Sequence, residues 1–167
     1  AVVGADGVAK IEIPIAADQL TEGAEALKLT AGGVSATITV NDTSTSAKIV
    51  ALSKDVDTVV GSSGSDTFNA NDVTYSLSGS DTVVNSLGAA DTVDGAGGAD
   101  VLNVNSALAV AIAATTVVKN VPTVNVTTQG ALTGTFGATN WAGTTKINVK
   151  SAGADSFTAL ATADVAV

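Results

Sequence analysis

Glycine and aspartate recur between residues 55 and 100 at a spacing that suits a cation-binding turn. Residues 61–69 (GSSGSDTFN) and 95–103 (GAGGADVLN) follow the nine-residue pattern G-G-x-G-x-D-x-U-x, where U is apolar, with Ser62 or Ala96 replacing the second glycine. The glycines allow backbone angles that aim carbonyl oxygens inward, and the aspartate adds a carboxylate. Because Ca²⁺ takes six to eight hard oxygen ligands, two stacked turns of this kind could bind it.

Weaker copies of the pattern surround these two. They occur at residues 55–59, 79–83 and 89–93. The aspartates of successive copies stand nine or ten residues apart, except that fifteen residues separate Asp66 from Asp81, which predicts an insertion around residues 71–75. The apolar residue two positions after each aspartate is expected in the core: Val59, Phe68, Val83, Val93 and Leu102.

The candidate metal ligands are therefore the aspartates and the turn residues around them. Residues 55–100 contain eight acids and no Lys or Arg. Carboxylates stacked at about 5 Å would repel by about 3 kcal/mol per pair at an effective dielectric near 20, which favours bound cations. The alternative is that they point into water as ordinary turn residues. The candidates are Asp57, Gly61, Ser63, Gly64, Asp66, Gly79, Asp81, Asp91, Gly95, Gly97, Gly98 and Asp100.

A longer repeat follows the acidic block. An apolar-Asn-Val motif occurs at residues 102–104, 124–126 and 147–149, at offsets of 22 and then 23 residues, a spacing that predicts one turn of a β-solenoid. Two orientations are open to the asparagines of this motif, Asn103, Asn125 and Asn148. They could form an inward ladder of amide hydrogen bonds, or they could face outward between inward apolar residues, which strand alternation favours.

The elements that must position these residues are strands. Val and Thr are abundant, aromatic residues make up only 3% of the chain, and strong helix formers are scarce. Residues 8–15, 26–30 and 34–40 predict strands, and Gly32-Gly33 predicts a tight hairpin between the last two. The polar run 41–46 is the best boundary, so residues 1–46 and 47–167 are taken as two domains.

Composition and charge exclude several functions. The chain has no His, Cys, Met or Arg, so it cannot build a Ser-His-Asp triad, a thiolate or imidazole zinc site, or a disulfide framework. Its net charge of −9 makes nucleic acid and anionic membranes poor partners. No apolar run is long enough for membrane insertion. The lone Trp141 is expected to be a packing residue, and we expect no enzyme.

The first segment resembles the closing strands of a Calx-β-like or related immunoglobulin-like sandwich. Residues 21–27 (TEGAEAL) and 36–42 (ATITVND) carry the resemblance. It implies calcium ligands at Glu22, Glu25 and Asp42; the alternative is a solvated acidic turn.

The second segment, from residue 47 onward, resembles the RTX group of bacterial proteins, and its mixture of turns and Asn-Val rungs is similar to S-layer proteins and giant surface adhesins. Residues 56–70 (VDTVVGSSGSDTFNA) carry this resemblance. It implies type I secretion, folding by external calcium, and an extracellular location at the cell surface. The expected fold is all-β: strands of a sandwich-like domain, then a right-handed β-roll or β-solenoid.

The expected function is a structural, self-assembling component of a surface layer or extracellular filament. Its partners would be calcium and further copies of the chain. The alternatives are the stalk or binding module of an RTX adhesin, or the RTX secretion segment of an exported enzyme. Both ends stop in mid-pattern, so we expect a piece of a longer protein.

Overall fold

The computed structural model describes residues 25–40 and 46–167, together with Ala5 and Ile13. By compactness the chain divides into two units, Ala1–Ser44 and Thr45–Val167. The strand predicted over residues 8–15 lies outside the described residues apart from Ile13, as do the candidate ligands Glu22 and Asp42. Of Glu25 only the backbone is described.

The described part of the first unit is a β-hairpin. Strands β1 (Glu25–Ala31) and β2 (Val34–Val40) pair antiparallel, with Ala31 opposite Val34. The two residues between them, Gly32 and Gly33, have φ of 58° and 81°. A two-residue turn with both central φ values positive matches the twist of the flanking strands and favours glycine. The hairpin predicted from the sequence is therefore confirmed.

The second unit is built from short strands. In chain order they are β3 (Ile49–Ala51), β4 (Thr58–Ser62), β5 (Thr67–Leu77), β6 (Ser80–Asn85), β7 (Thr92–Ala96), β8 (Val101–Ser106), β9 (Val110–Ile112), β10 (Val117–Lys119), β11 (Thr123–Thr128), β12 (Leu132–Thr135), β13 (Lys146–Ser151), β14 (Ser156–Thr158) and β15 (Asp164–Ala166). Every pairing among these strands is parallel except that of β5 with β6.

These strands form three parallel sheets. The long sheet has the order β15-β13-β11-β8-β5-β3, and the two three-stranded sheets have the orders β10-β7-β4 and β14-β12-β9. Strand β6 pairs antiparallel with the second half of β5, residues 72–77. An insertion is present, as the aspartate spacing predicted around residues 71–75, but it extends further than predicted and includes the repeat copy at residues 79–83.

The long repeat corresponds to neighbouring strands of the long sheet. Residues 102–104, 124–126 and 147–149 align in register, so that Asn125 lies opposite Asn103 on one side and Asn148 on the other. The period of 22–23 residues is therefore the chain length from one parallel strand to the next. The in-register stack brings the repeated residues together, so that the asparagines form one row of the long sheet.

The apolar core follows from strand alternation. Phe68, Leu102, Val124 and Ile147 form one row across the long sheet, and all four are fully buried. Burying each side chain contributes about 1.5–3 kcal/mol, and truncating one of them, as in Leu102→Ala, should cost about 2–5 kcal/mol. Trp141 is buried edge-on against Phe136, with ring centroids 4.6 Å apart, so its predicted packing role is confirmed.

The residues that the structure describes contain no helix, and so none that is long and apolar enough to cross a membrane.

Candidate metal centre

Four of the eight aspartates of the acidic block form two stacked pairs. The Oδ1 atom of Asp100 accepts a hydrogen bond from the backbone N–H of Asp66 at 2.7 Å, and Oδ1 of Asp91 accepts one from the N–H of Asp57 at 2.9 Å. The parallel pairing of β5 with β8 and of β4 with β7 brings these turns together. In each pair the later carboxylate therefore binds the backbone of the earlier aspartate.

The turn formed by residues 61–66, here named the closed turn, satisfies its own carboxylate. The Oδ2 atom of Asp66 accepts the N–H of Ser62 at 2.6 Å. Its Oδ1 atom accepts the Ser62 hydroxyl at 2.9 Å and the N–H of Lys48 at 2.6 Å. The Lys48 ammonium also donates to the carbonyl of Gly61 at 2.9 Å. Asp66 is buried with both oxygens bound, so the turn is held by its own backbone and a lysine.

The turn formed by residues 95–100, here named the open turn, has the same motif but leaves one oxygen unpaired. Asp100 is fully buried, and its Oδ2 atom has no hydrogen-bond partner among the described residues. The N–H that corresponds to that of Ser62 belongs to Ala96, because these residues are partners in the β4–β7 register. Ala96 has φ of 65° and donates instead to Oδ1 of Asp94, at 2.9 Å. A buried carboxylate oxygen without a donor is costly, so this atom needs an explanation.

The unpaired oxygen faces a backbone carbonyl across Gly95. A Cβ atom added to Gly95 would lie 2.3 Å from Oδ2 of Asp100 and 2.2 Å from the carbonyl oxygen of Asn120, so no side chain fits there. Asn120 also donates from its amide to Oδ1 of Asp94 at 2.8 Å. Two hard oxygens therefore converge at the open turn, next to the Asp94 carboxylate, and such a donor set suits a cation such as Ca²⁺.

The electrostatic environments of Asp100 and Asp155 shift the carboxyl pKa in opposite directions. Burial raises the pKa of Asp100 above its ordinary value, and the negative charges of Asp66 and Asp94 add to that effect, while the hydrogen bond from the Asp66 N–H opposes it. At Asp155 the N–H of Leu132 and the hydroxyl of Ser151 lower the carboxyl pKa instead. The donors at Asp155 stabilise its charged form, whereas at Asp100 burial outweighs the one hydrogen bond from Asp66.

The second pair, Asp57 and Asp91, resembles the closed turn. Asp91 is fully buried, and its Oδ2 atom accepts the N–H of Gly88 at 2.6 Å. Asp57 accepts the N–H of Ser53 at 2.7 Å through Oδ2 and the Ser53 hydroxyl at 3.0 Å through Oδ1. Each oxygen of this pair has a donor, so these two carboxylates act as caps for the backbone of the turns.

The other candidate ligands lie either in the stacked turns or at the tip of the β5–β6 hairpin. Gly64 and Gly98 pack against each other, since a Cβ atom on Gly98 would lie 2.1 Å from the carbonyl oxygen of Gly64. Ser63 and Gly97 belong to the same two turns. Gly79 and Asp81 lie elsewhere, exposed at the tip of the β5–β6 hairpin.

The position of Asp81 also changes the expectation for the residue two places after it. Val83 is 40% exposed on the hairpin, so its predicted core position is wrong. Phe68, Val93 and Leu102 are fully buried as predicted, and Val59 packs against the core while partly exposed.

The outward-pointing alternative for the aspartates is wrong for the three that are buried, namely Asp66, Asp91 and Asp100. Backbone N–H groups supply most of the compensation that the charge argument assigned to cations. Sequence reasoning also missed Asp94 and Asn120, which stand outside the motif. For Asp155 a signal existed, because residues 153–157 (GADSF) echo residues 64–68 (GSDTF).

The asparagines of the long repeat form a ladder on the outer face of the long sheet. Amide hydrogen bonds join Asn103 to Asn69 at 3.1 Å, Asn125 to Asn103 at 2.9 Å, and Asn148 to Asn125 at 2.7 Å. All four are partly exposed and alternate with buried apolar residues. The outward reading is confirmed, and the hydrogen-bonded ladder is present on that face rather than inside the core.

Within the described part of the chain, no group of three or more His, Cys, Asp or Glu side chains is placed to hold a metal ion. An ion at the open turn would therefore need backbone carbonyl and water oxygens besides carboxylate. The chain matches no known protein-family model, and no curated protein matches it.

Proposed function

We propose that the second unit is part of a calcium-stiffened β-solenoid that serves as a structural, self-assembling segment of a secreted bacterial surface protein. The three parallel sheets would be the faces of the solenoid. The turns that carry the aspartates would be its corners. No catalytic role is included in this proposal, and a chain without His or Cys offers few groups for one.

Polar side chains that bind neighbouring strands support the structural role. The asparagine ladder crosses four strands of the long sheet, and the aspartate carboxylates bind backbone N–H groups of adjacent turns. Such contacts use polar groups to join one strand or turn to the next. A stiff rod or plate is the result that these contacts favour.

The observation that carries the calcium part of the proposal is the buried, unpaired Oδ2 atom of Asp100. The residues present fit a cation: the Asp100 carboxylate and the Asn120 carbonyl would hold it, the Asp94 carboxylate would add negative potential, and water would supply the remaining ligands. The bound ion would supply positive charge where the folded chain otherwise holds an uncompensated carboxylate.

Binding of this kind would couple folding to the calcium concentration. The raised pKa of Asp100 means that its charged form opposes folding, and an ion that binds only the folded state removes this penalty. At a free concentration one hundred times the dissociation constant, the ion would add about 2.7 kcal/mol to the stability. The chain would then be less stable where calcium is scarce and stiffer where it is plentiful.

The test is a calcium titration of the chelator-treated protein, followed by urea unfolding monitored by circular dichroism and by light scattering. We expect calcium to raise the free energy of unfolding and then to induce scattering as copies associate. In Asp100→Asn the increase with calcium should disappear, because a neutral amide replaces the ligand. Asp91→Asn, which changes a carboxylate whose oxygens already have donors, is the matched control and should keep the increase.

The outcomes separate the parts of the proposal. A wild-type protein whose stability is unchanged by calcium would refute the metal site. Stabilisation without scattering at any concentration would refute self-assembly and favour the adhesin stalk or secretion segment. Loss of the calcium effect in Asp91→Asn but not in Asp100→Asn would show that the ion binds at another turn.

A further inference from the structure

The outer face of the long sheet contains a polar groove of about 370 Å³. Its lining includes the amides of Asn103, Asn105, Asn125 and Asn148, the hydroxyl of Thr127 and the ammonium of Lys150. Lys150 provides the only charge among the lining residues. On a chain with a net charge of −9, this groove is therefore a local surface of the opposite sign.

The amides of the groove keep hydrogen-bonding capacity. In the ladder, the Asn125 amide uses one N–H to reach Asn103, and its oxygen accepts one N–H from Asn148. A primary amide has two N–H donors and an oxygen with two lone pairs. Each of these rungs therefore still offers a donor and an acceptor to an occupant, at intervals of about 4.8 Å along the stack.

The β5–β6 hairpin presents the complementary chemistry on the same chain. Its two-residue turn, Ser78 and Gly79, has φ of 53° and 84°, and the residues from Ser78 to Asp81 are all exposed. The tip therefore offers small side chains, two serine hydroxyls and one carboxylate. Asp81 accepts a hydrogen bond from the Ser76 hydroxyl of its own hairpin, and among the described residues neither Asp81 nor Lys150 takes part in an ion pair.

We propose that the hairpin tip of one copy docks into the outer-face groove of a second copy, with the Asp81 carboxylate against the Lys150 ammonium. This contact rests on the proposed self-assembly and names the surfaces that perform it. The serine hydroxyls and the carboxylate would accept the spare amide N–H groups. Because the tip and the groove are different surfaces, the contact is heterologous and leaves a free groove on one copy and a free tip on the other. It therefore propagates from copy to copy, and it builds a filament or lattice where the rotation between copies does not close a ring.

Charge reversal followed by charge exchange tests the contact. In calcium, sedimentation velocity and light scattering would give the protein concentration at half assembly for the wild type, Asp81→Lys, Lys150→Asp and the double variant. Each single variant places like charges together, so we expect the half-assembly concentration to rise about tenfold or more. The double variant restores opposite charges and should return to within about threefold of the wild type.

Matched controls alter charge at exposed positions away from the contact. Asp55→Lys and Lys119→Asp carry the same charge changes, and their side chains are exposed outside the tip and the groove. They should assemble like the wild type. Circular dichroism checks that every variant keeps the β-rich fold.

The variants, the controls and the wild type each have an outcome that would overturn the contact. Single variants that assemble as well as the wild type, or a double variant that stays impaired, would show that another surface joins the copies, while the proposed function would stand. Controls as impaired as the single variants would show an effect of net charge alone and equally overturn the contact. A wild-type protein that never assembles would overturn both the contact and the self-assembly.

Discussion

The closed turn and the open turn share a motif, neighbouring positions in the stack and a buried aspartate, yet they satisfy that aspartate differently. In the closed turn Ser62 donates to Oδ2 of Asp66, and the Lys48 ammonium binds the adjacent Gly61 carbonyl. In the open turn the N–H of Ala96 donates to Asp94, which leaves Oδ2 of Asp100 without a donor. A backbone carbonyl lies close to the carboxylate in both turns, so the missing donor is the difference. The motif alone therefore does not make a metal site. What matters is whether the turn uses its own donors.

The largest effects are expected from filling the space at the two leading glycines. A Cβ atom on Gly61 would lie 2.2 Å from Oδ2 of Asp66, and one on Gly95 would meet Asn120 and Asp100 equally closely. Both Gly61→Ala and Gly95→Ala should lower the free energy of unfolding in chelator by about 3 kcal/mol. Only Gly95→Ala should also abolish the stabilisation by calcium, as urea unfolding with and without calcium would show.

Gly97→Ala is the control for these substitutions, because a Cβ atom on Gly97 would have no neighbour within 4 Å. It should unfold like the wild type. If Gly61→Ala removed the calcium effect while Gly95→Ala preserved it, the assignment of the two turns would have to be reversed.

The next effect concerns aspartate-to-asparagine substitutions, which should act in opposite directions in chelator. In Asp66→Asn one of the two bound oxygens becomes an NH₂ group that faces a donor, so stability should fall by about 2 kcal/mol. In Asp100→Asn the new NH₂ group can replace Oδ2 and donate to the Asn120 carbonyl, so stability should rise by about 1 kcal/mol. Urea unfolding measures both, and equal losses would contradict the distinction between the turns.

A smaller effect is expected at Asp94, which takes the Ala96 N–H away from Asp100. In Asp94→Ala that N–H loses its acceptor, and a negative charge near the proposed ion is removed. Calcium should therefore bind about threefold more weakly, in line with the modest value of a partly exposed charge. Calorimetric titration measures this shift. Asp55→Ala, at an exposed position, is the control, and a matching loss there would assign the effect to net charge.

The smallest effect is a difference in pH dependence between Asp155 and Asp100. The pKa of Asp155 is lowered in the folded state, so its contribution to stability is present above the unfolded pKa and is lost as the pH falls through the folded pKa. The pKa of Asp100 is raised, so its charged form reduces stability as the pH rises from the unfolded toward the folded value.

Unfolding in chelator across the acidic range would show this difference. Asp155→Asn should flatten the loss of stability at low pH, and Asp100→Asn should make the rise with pH steeper. Parallel curves for the two variants would falsify the view that these carboxylates have opposite environments.

Much of the fold could be predicted because it depends on periodicity. The alternation in residues 34–40, the Gly32-Gly33 turn and the offset of 22–23 residues follow from rules that act over a few residues or from one strand to its neighbour. They predicted the hairpin, which is confirmed, and the repeat whose three copies lie side by side in the long sheet. The hairpin position of Asp81 was not foreseen, because a fifteen-residue gap does not say whether the motif after it rejoins the stack.

From the amino-acid sequence it follows that the chain is all-β, that its aspartates recur at turn spacing, and that no Lys or Arg lies among them. Which of the carboxylates receive hydrogen-bond donors depends on the packing of the turns. Asp66 and Asp100 occupy the same place in the same motif. Asp66 accepts the backbone N–H groups of Lys48 and Ser62, whereas Asp100 accepts only that of Asp66. Backbone N–H groups occur at almost every residue, so the sequence does not reveal which of them a buried carboxylate will reach; only the packing of one turn on another does.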